Sequence, residues 1–169
     1  MTLRISPATR DDAELVLALV RELAEYEKLS HEVVATADDV RESLFGEKPA
    51  AEALIAWLDD QPVGFAIFFQ NYSTFLARSG IHLEDLFVRP AARGRGFGRA
   101  LLAEVARIAR DRKCGRLEWS VLDWNAPALA FYERIGARVM KEWRLHRLTG
   151  EALDAVASSA TSARSEPRR

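Results

Sequence analysis

Cysteine is almost absent from this chain, with Cys114 its single representative. One thiol can form neither an internal disulfide nor a multi-cysteine metal site, which fits a reducing compartment. Its setting, Lys113-Cys114-Gly115, reads as a helix-to-strand turn, where a semi-buried small side chain is expected rather than a nucleophile. Histidine is scarce as well. His31, His82 and His146 lack metal-ligand spacing, so no metal is expected. No apolar run approaches the ~20 residues that a membrane-spanning helix needs. The opening Met1-Thr2-Leu3-Arg4-Ile5 is a short strand pattern without the apolar stretch of a signal peptide. A cytoplasmic location with no membrane partner is the expectation. Neither sign of charge is in excess: 24 basic against 25 acidic residues give a net charge of −1. That balance offers no whole-molecule field for nucleic acid. Also missing is any Ser-His-Asp or Cys-His arrangement that would mark an enzyme nucleophile.

What is present is a globular composition over 169 residues, 49% hydrophobic and 29% charged, enough for one domain with a real core. Thr9-Arg10-Asp11-Asp12 has the form of a capped helix start, followed by Val16, Leu19, Val20 and Leu23 at helical spacing. Thr36-Ala37-Asp38-Asp39 is a second start, for a helix to Phe45 that stops at Gly46. Residues 53–58 and 63–69 are apolar runs joined by Asp59-Asp60-Gln61-Pro62, a hairpin signature. Residues 71–80 read as an irregular loop, and 81–88 as a strand ended by Pro90. The glycine-rich turn at 93–98 opens a helix with Phe97, Leu101, Val105 and Ile108 on one face, and a strand follows over 117–122. Asn125-Ala126-Pro127 starts another helix, which ends near Gly136. Arg138 to Met140 and Trp143 to Leu148 read as closing strands. Residues 1–157 are expected to form one domain. The Ser-, Ala- and Arg-rich residues 158–169 are expected to be a disordered tail. Helices interleaved with strands imply a mixed α/β sheet with helices on both faces.

Three segments carry chemistry. The first is Arg93-Gly94-Arg95-Gly96-Phe97-Gly98-Arg99, a glycine-rich turn between a strand and a helix. Unpaired N–H groups and the positive dipole end of the helix favour an anion there, glycines let a phosphate approach, and the arginines add charge. The glycines alone leave open a plain turn with solubilising arginines. No Gly-Lys-Ser/Thr end is present, so this is no Walker A loop, and the spacing misses the dinucleotide pattern. The second segment is the strand Ile81-His82-Leu83-Glu84-Asp85-Leu86-Phe87-Val88. Strict alternation puts Glu84 with Leu86 and Val88 on one face, and Asp85 with Leu83 and Phe87 on the other. Ion-paired acids near an edge, or an acid lining a cleft, would both explain the two carboxylates. The third is Phe131-Tyr132, one turn into the helix from Asn125. Periodicity does not decide between a core aromatic pair and a phenolic proton donor.

Together these segments, with Ala128-Leu129-Ala130-Phe131-Tyr132-Glu133-Arg134-Ile135-Gly136-Ala137, resemble the GNAT N-acetyltransferases. Glu22-Leu23-Ala24-Glu25-Tyr26-Glu27, Val63-Gly64-Phe65-Ala66 and Trp124-Asn125-Ala126-Pro127 extend the likeness to the diamine (spermidine/spermine) and thialysine N-acetyltransferases. The resemblance spans residues 3 to about 148. It implies the GNAT fold, a mixed six- to seven-stranded sheet splayed after the fourth strand. It implies acetyl-CoA as cosubstrate, its pantetheine on the edge formed by Leu86, Phe87 and Val88. The pyrophosphate would lie on the turn Arg93, Gly94, Arg95, Gly96, Phe97, Gly98 and Arg99, with Asn125 and Ala128 on the far wall. Tyr132 takes the place of the general acid, and Glu84 that of the acid that contacts the amine and deprotonates it through water. Tyr26, Glu27, Asp85, Glu118, Trp119 and Ser120 take substrate-pocket positions. Homodimers are common in the family.

The chemistry agrees. An alkyl amine has a pKa of roughly 10, so it arrives as a cation drawn to carboxylates and must shed a proton before attack. Backbone N–H groups suit the developing oxyanion, and the leaving thiolate needs a proton. The sequence departs from the polyamine enzymes where Ser73 replaces an acid and where Lys141-Glu142, Arg144, His146 and Arg147 make the region less negative. A small diamine or thialysine-like amine is then expected as much as spermidine or spermine. The alternatives are a peptide or protein amine as acceptor, and a non-catalytic acyl-CoA-binding module.

Overall fold

The computed structural model describes residues 2–160. Dense packing divides the chain into two units, one ending at Ser120 and the other beginning at Val121.

The first unit is built on five strands: β1 (Leu3–Pro7), β2 (Glu52–Leu58), β3 (Gln61–Ser73), β4 (Arg78–Val88) and β5 (Leu117–Trp119), lying side by side in that order. The first four are antiparallel and β5 runs parallel to β4. The interleaved helices are α1 (Ala13–Tyr26), α2 (Ala37–Phe45) and α3 (Phe97–Asp111).

Local chemistry explains most of these boundaries. Asp12 Oδ2 accepts from the backbone N–H and the hydroxyl of Thr9, both at 2.7 Å, and a short 3-10 turn leads into α1. The same box recurs at α2. Asp39 Oδ2 accepts from the Thr36 N–H at 2.8 Å, while Thr36 Oγ1 accepts from the Asp39 N–H at 3.2 Å. α1 ends where Lys28 takes a φ of 63°, and the Leu29 N–H then reaches the Ala24 carbonyl at 2.8 Å. A forked pair ties α1 to the end of β4. Arg89 Nε and Nη2 donate to Glu22 at 2.8 and 2.6 Å, and Nη1 donates to the Pro62 carbonyl at 2.7 Å.

The helices take opposite faces of the sheet. Leu19 and Leu23 of α1 pack on Phe65 and Phe87, while Val16 packs on Ala53 and Ile55 with Val40 and Leu44 of α2 alongside. α3 packs across β3 and β4. A Cβ on Gly98 would stand 3.7 Å from the Val88 side chain, which alternation turns away from Phe87. α3 therefore covers the face opposite α1 and α2.

Three sequence expectations need correction. Residues 71–80 are not a loop: β3 runs to Ser73 and β4 begins at Arg78, with register from Asn71↔Gly80 to Ser73↔Arg78. The side chains read as loop-forming are paired backbone, and the turn shrinks to 74–77. The strand read over 117–122 is only β5, Leu117–Trp119. The expected closing strands do not form, so the described residues hold five strands, not six to seven. A strand needs a neighbour to take its N–H and C=O groups, and among the described residues none pairs with 138–148.

In the second unit, α4 (Ala126–Arg134) is capped by Asn125, whose side chain accepts from the Ala128 N–H at 3.4 Å, with proline in the first turn. Gly136 follows the helix at φ 86°. α5 (Gly150–Ser159) includes Ser158 and Ser159, so the tail expected over 158–169 starts inside a helix. Ala160 follows in a turn, and residues 161–169 lie outside the described residues.

Candidate active site

Two features of β4 shape the site. The first is a bulge. Asp85 lies opposite Ile67, yet the next pair is Leu83 with Phe68, so Glu84 is an extra residue with no partner on β3. The bulge reverses the phase of the strand. Leu83 joins the face of Leu86 and Val88, and Asp85 shares its face with Phe87 and His82. Strict alternation had placed Leu83 with Asp85. The bulge also lets both acids border one cleft under α1 and α2.

The second feature is an open edge. β5 pairs with β4 only from Ile81↔Leu117 to Leu83↔Trp119, although β4 continues to Val88. The sheet thus splits beyond Leu83, as expected. Which backbone groups face the gap follows from the ladder. The Arg89 N–H donates to the Val63 carbonyl at 2.9 Å, which makes that a bonded pair. Bonded pairs recur every second residue, so Phe87 spends its groups on Phe65, while Leu86 and Val88 direct theirs outward. Of the expected trio, Leu86 and Val88 offer the edge and Phe87 supplies core packing.

The glycine turn lies between β4 and α3. Gly94 and Gly96 have φ of 76° and 84°, a region that penalises any Cβ, and a Cβ at either would find nothing within 4 Å. Gly96 is the N-cap of α3 and has no side chain to cap with. The first helical bond runs from the Ala100 N–H to the Gly96 carbonyl at 3.0 Å. The N–H groups of Phe97, Gly98 and Arg99 therefore precede the ladder at a positive helix end. This cradle fits a pyrophosphate. Its three arginines differ. Arg99 is exposed. The Arg95 guanidinium lies 5.0 Å from the Phe97 ring centre. Arg93 turns back, its Nε donating to the Val88 carbonyl at 2.9 Å, its guanidinium 4.2 Å from the Tyr26 ring and 5.6 Å from that of Phe87. One side chain thus touches the turn, the open edge and Tyr26. Sequence periodicity carries no sign of that link.

The acids are electrostatically coupled. Asp85 is half-buried, and its pKa is pushed up to about 6, first by burial and then by the negative charges of Glu84 and Glu27. Burial also raises the pKa of Glu27. Glu84 is exposed, with an oxygen 3.7 Å from His82 Nε2, and the His82 ring lies 5.1 Å from that of Phe69. Alternation alone sets His82 on the face of Glu84; the bulge adds Asp85 to that face, which sequence does not reveal.

The other expected pocket residues separate. Glu118 lies beside His82 in the register and accepts from Asn71 Nδ2 at 2.6 Å, on the face of α1 and α2. Trp119 pairs with Leu83 and belongs to the opposite face, and Ser120 follows the strand end. Asn125, Ala128 and Tyr132 stand at or on α4 in the second unit, the Tyr132 ring 5.3 Å from that of Phe131.

Comparison with known proteins places this geometry. Residues 17–137 match the Acetyltransferase (GNAT) family. A thialysine N-epsilon-acetyltransferase of Bos taurus is 38% identical over 164 residues, covering 90% of this chain and 96% of that protein. An L-ornithine N5-acetyltransferase of Arabidopsis thaliana is 34% identical over 198 residues, covering 90% and 87%. Among solved structures, an integron cassette protein from V. cholerae superposes with a TM-score of 0.79 at 27% identity, covering 93% of this chain and 98% of that one.

Proposed function

This chain belongs to the GNAT acetyltransferase family and is an amine N-acetyltransferase, and from that premise we propose that it moves acetyl from acetyl-CoA to the primary amine of a small molecule by direct attack in a ternary complex. The observation that carries the proposal lies within the first unit: the bulged carboxylates Glu84 and Asp85 sit on a strand whose open edge leads straight into an uncapped, glycine-lined helix start.

In this reading the pyrophosphate lies on the N–H groups from Gly94 to Arg99, with Arg95 and Arg99 supplying charge. The pantetheine amides pair with Leu86 and Val88. Arg93 holds the Val88 carbonyl, so cofactor entry moves it. Asn125 and Ala128 form the far wall.

Glu84 and Asp85 attract the substrate ammonium, with Glu27 and Tyr26 beyond them. Glu84 takes the proton through water, which frees the nitrogen lone pair. The nitrogen attacks the thioester carbonyl, a C–N bond forms and the C–S bond breaks. As the intermediate collapses, Tyr132 gives its phenolic proton to the leaving thiolate, and the nitrogen sheds its second proton to water, from which Tyr132 is reprotonated. No enzyme nucleophile takes part. The acceptors are a diamine, a polyamine or a thialysine-like amino acid, a reading supported by the thialysine and L-ornithine named for the relatives above. Residues 1–157 act as one catalytic domain, in a cytoplasmic homodimer that requires no metal.

The test is release of free thiol from acetyl-CoA with a panel of diamines, lysine analogues and polyamines. Turnover with at least one amine is expected; none with any amine overturns the proposal. Tyr132→Phe is expected to lower kcat by about 100-fold or more with little change in acetyl-CoA affinity. An unchanged kcat removes Tyr132 from the acid role.

A further inference from the structure

Glu84 and His82 are an unequal pair. Glu84 is the extra residue of the bulge, without a partner on β3, and its side chain is 57% exposed. Its Oε2 stands 3.7 Å from His82 Nε2. The imidazole is held much more firmly. Its side chain is only 25% exposed, and its ring lies 5.1 Å from that of Phe69 at a tilt of 30°. Phe69 is the residue opposite His82 in the β3–β4 register. A fixed ring thus waits beside a carboxylate that is free to turn. A movement of about 0.8 Å by Glu84 closes the gap to a hydrogen bond of ~2.9 Å.

The chemistry gives this pair a use. A carboxylate is a poor resting place for an amine's proton. An alkylammonium of pKa roughly 10 stands about six units above an ordinary glutamate, and free imidazole makes up about two of those units, on the order of a hundredfold. Imidazole can also accept a proton and pass one on, because both ring nitrogens carry protons in turn. The other charged groups around His82 are committed elsewhere. Glu118 of β5 lies beside it in register, but accepts from Asn71 Nδ2 at 2.6 Å and pairs with Arg116 at 3.2 Å. Asp85 shares the face, half-buried and under the charge of Glu27 at the end of α1. An ammonium bound to the acids covers the outward side of Glu84, which leaves His82 as its inward neighbour and the way to water.

We infer that His82 is a positioning residue that holds Glu84 for the amine, receives the abstracted proton from it and returns that proton to solvent. The inference rests on the transfer reaction above and completes its proton path. The proton that reaches Glu84 from the ammonium passes from Oε2 to His82 Nε2. The carboxylate is left ionised for the next turnover, paired with the imidazolium. The imidazolium then loses one proton to water and returns to the neutral ring. No bond between heavy atoms changes in this step, and no further reactant is needed.

The experiment measures kcat and KM with acetyl-CoA and the panel amine of highest turnover, at constant pH and ionic strength, for the parent, His82→Gln and His82→Ala. Glutamine can still meet Glu84 but cannot carry its proton. His82→Gln is expected to lower kcat by about tenfold or more, with KM for the amine within about twofold of the parent. His82→Ala is expected to lose kcat likewise and to regain about threefold or more of it as imidazole is added, with acetate far less effective because it is the weaker base. The parent is expected to show no response to imidazole. A kcat unchanged in His82→Gln, or a loss in His82→Ala that imidazole does not restore, overturns the relay while leaving amine acetylation intact. Should either variant fail to fold, the parent still decides: a kcat that climbs with imidazole concentration means the proton leaves directly to the solvent and overturns the relay. A parent that turns over no amine overturns the transfer reaction and the relay together.

Discussion

Asp85 holds its carboxyl group against its own solvation, and that tension has two measurable consequences. Its pKa stands at about 6 instead of 3.8, with burial the first cause and the charges of Glu84 and Glu27 after it. A raised carboxyl pKa means the folded state binds the proton more tightly than the unfolded state does. Stability on this account falls as pH climbs from about 4 through 6, by at most about 3 kcal/mol. Asp85→Asn removes the penalty, so its Tm is expected to exceed that of the parent at pH 8 and to converge with it near pH 4. The same variant is expected to raise KM for the amine, and in the parent protein KM is expected to rise as pH drops below about 6. A Tm unchanged at pH 8 would contradict the assigned burial. Both acids were legible in the sequence, because two carboxylates inside an apolar strand call for a reason. Their arrangement was not, since a single bulged residue reverses every side chain beyond it and leaves no mark in composition. Arg93 gives a similar lesson. Its charge was readable, but its stacking on Tyr26 depends on where α1 ends, and that is set by Lys28 in a left-handed conformation.

At the level of elements, the glycine turn and α2 carry the most function. Gly94 and Gly96 are required by their dihedral angles, not by crowding, since a side chain at either would meet open space. Gly96→Ala is therefore expected to cost about 1–2 kcal/mol through backbone strain. It should weaken acetyl-CoA binding more than amine binding, measured by calorimetry with each. Equal loss for both would show that the turn acts only on folding. α2 walls the acceptor cleft and depends on its capping box. Thr36→Ala is expected to destabilise the protein by about 1 kcal/mol, a fall in Tm of roughly 2–4 °C. A Tm within error of the parent would show that α2 is held by packing alone. Capping signals at Thr9, Thr36 and Asn125 were readable because they are local. The hairpin extension from Asn71 to Gly80 was hidden by its polar and glycine residues, which suit a turn but here form the end of a ladder.

For the whole molecule, the open question lies in residues 138–148. Among the described residues they have no partner strand, and their side chains include Val139, Trp143 and Leu145, which are 72%, 70% and 79% exposed. The sequence pattern there is that of strands, and what a strand requires is another backbone. Exposed apolar side chains in such a segment support the proposed homodimer, in which a second copy covers them. Sedimentation is expected to give twice the mass of the chain, and Leu145→Asp is expected to shift it toward the monomer. A monomeric parent protein would contradict the proposal. The overall fold was legible because strand and helix periods alternate in order along the chain. The number of strands was not, because pairing is a property of neighbours and not of the segment itself.

Acetyl transfer depends on the turn from Arg93 to Arg99 being an anion cradle that delivers a thioester to the open edge of β4. Titration calorimetry with acetyl-CoA tests that directly. It predicts one binding event per chain that weakens as salt increases, because backbone amides and arginines grip phosphate. No heat with acetyl-CoA or with CoA would contradict it, since the reaction would then have no donor.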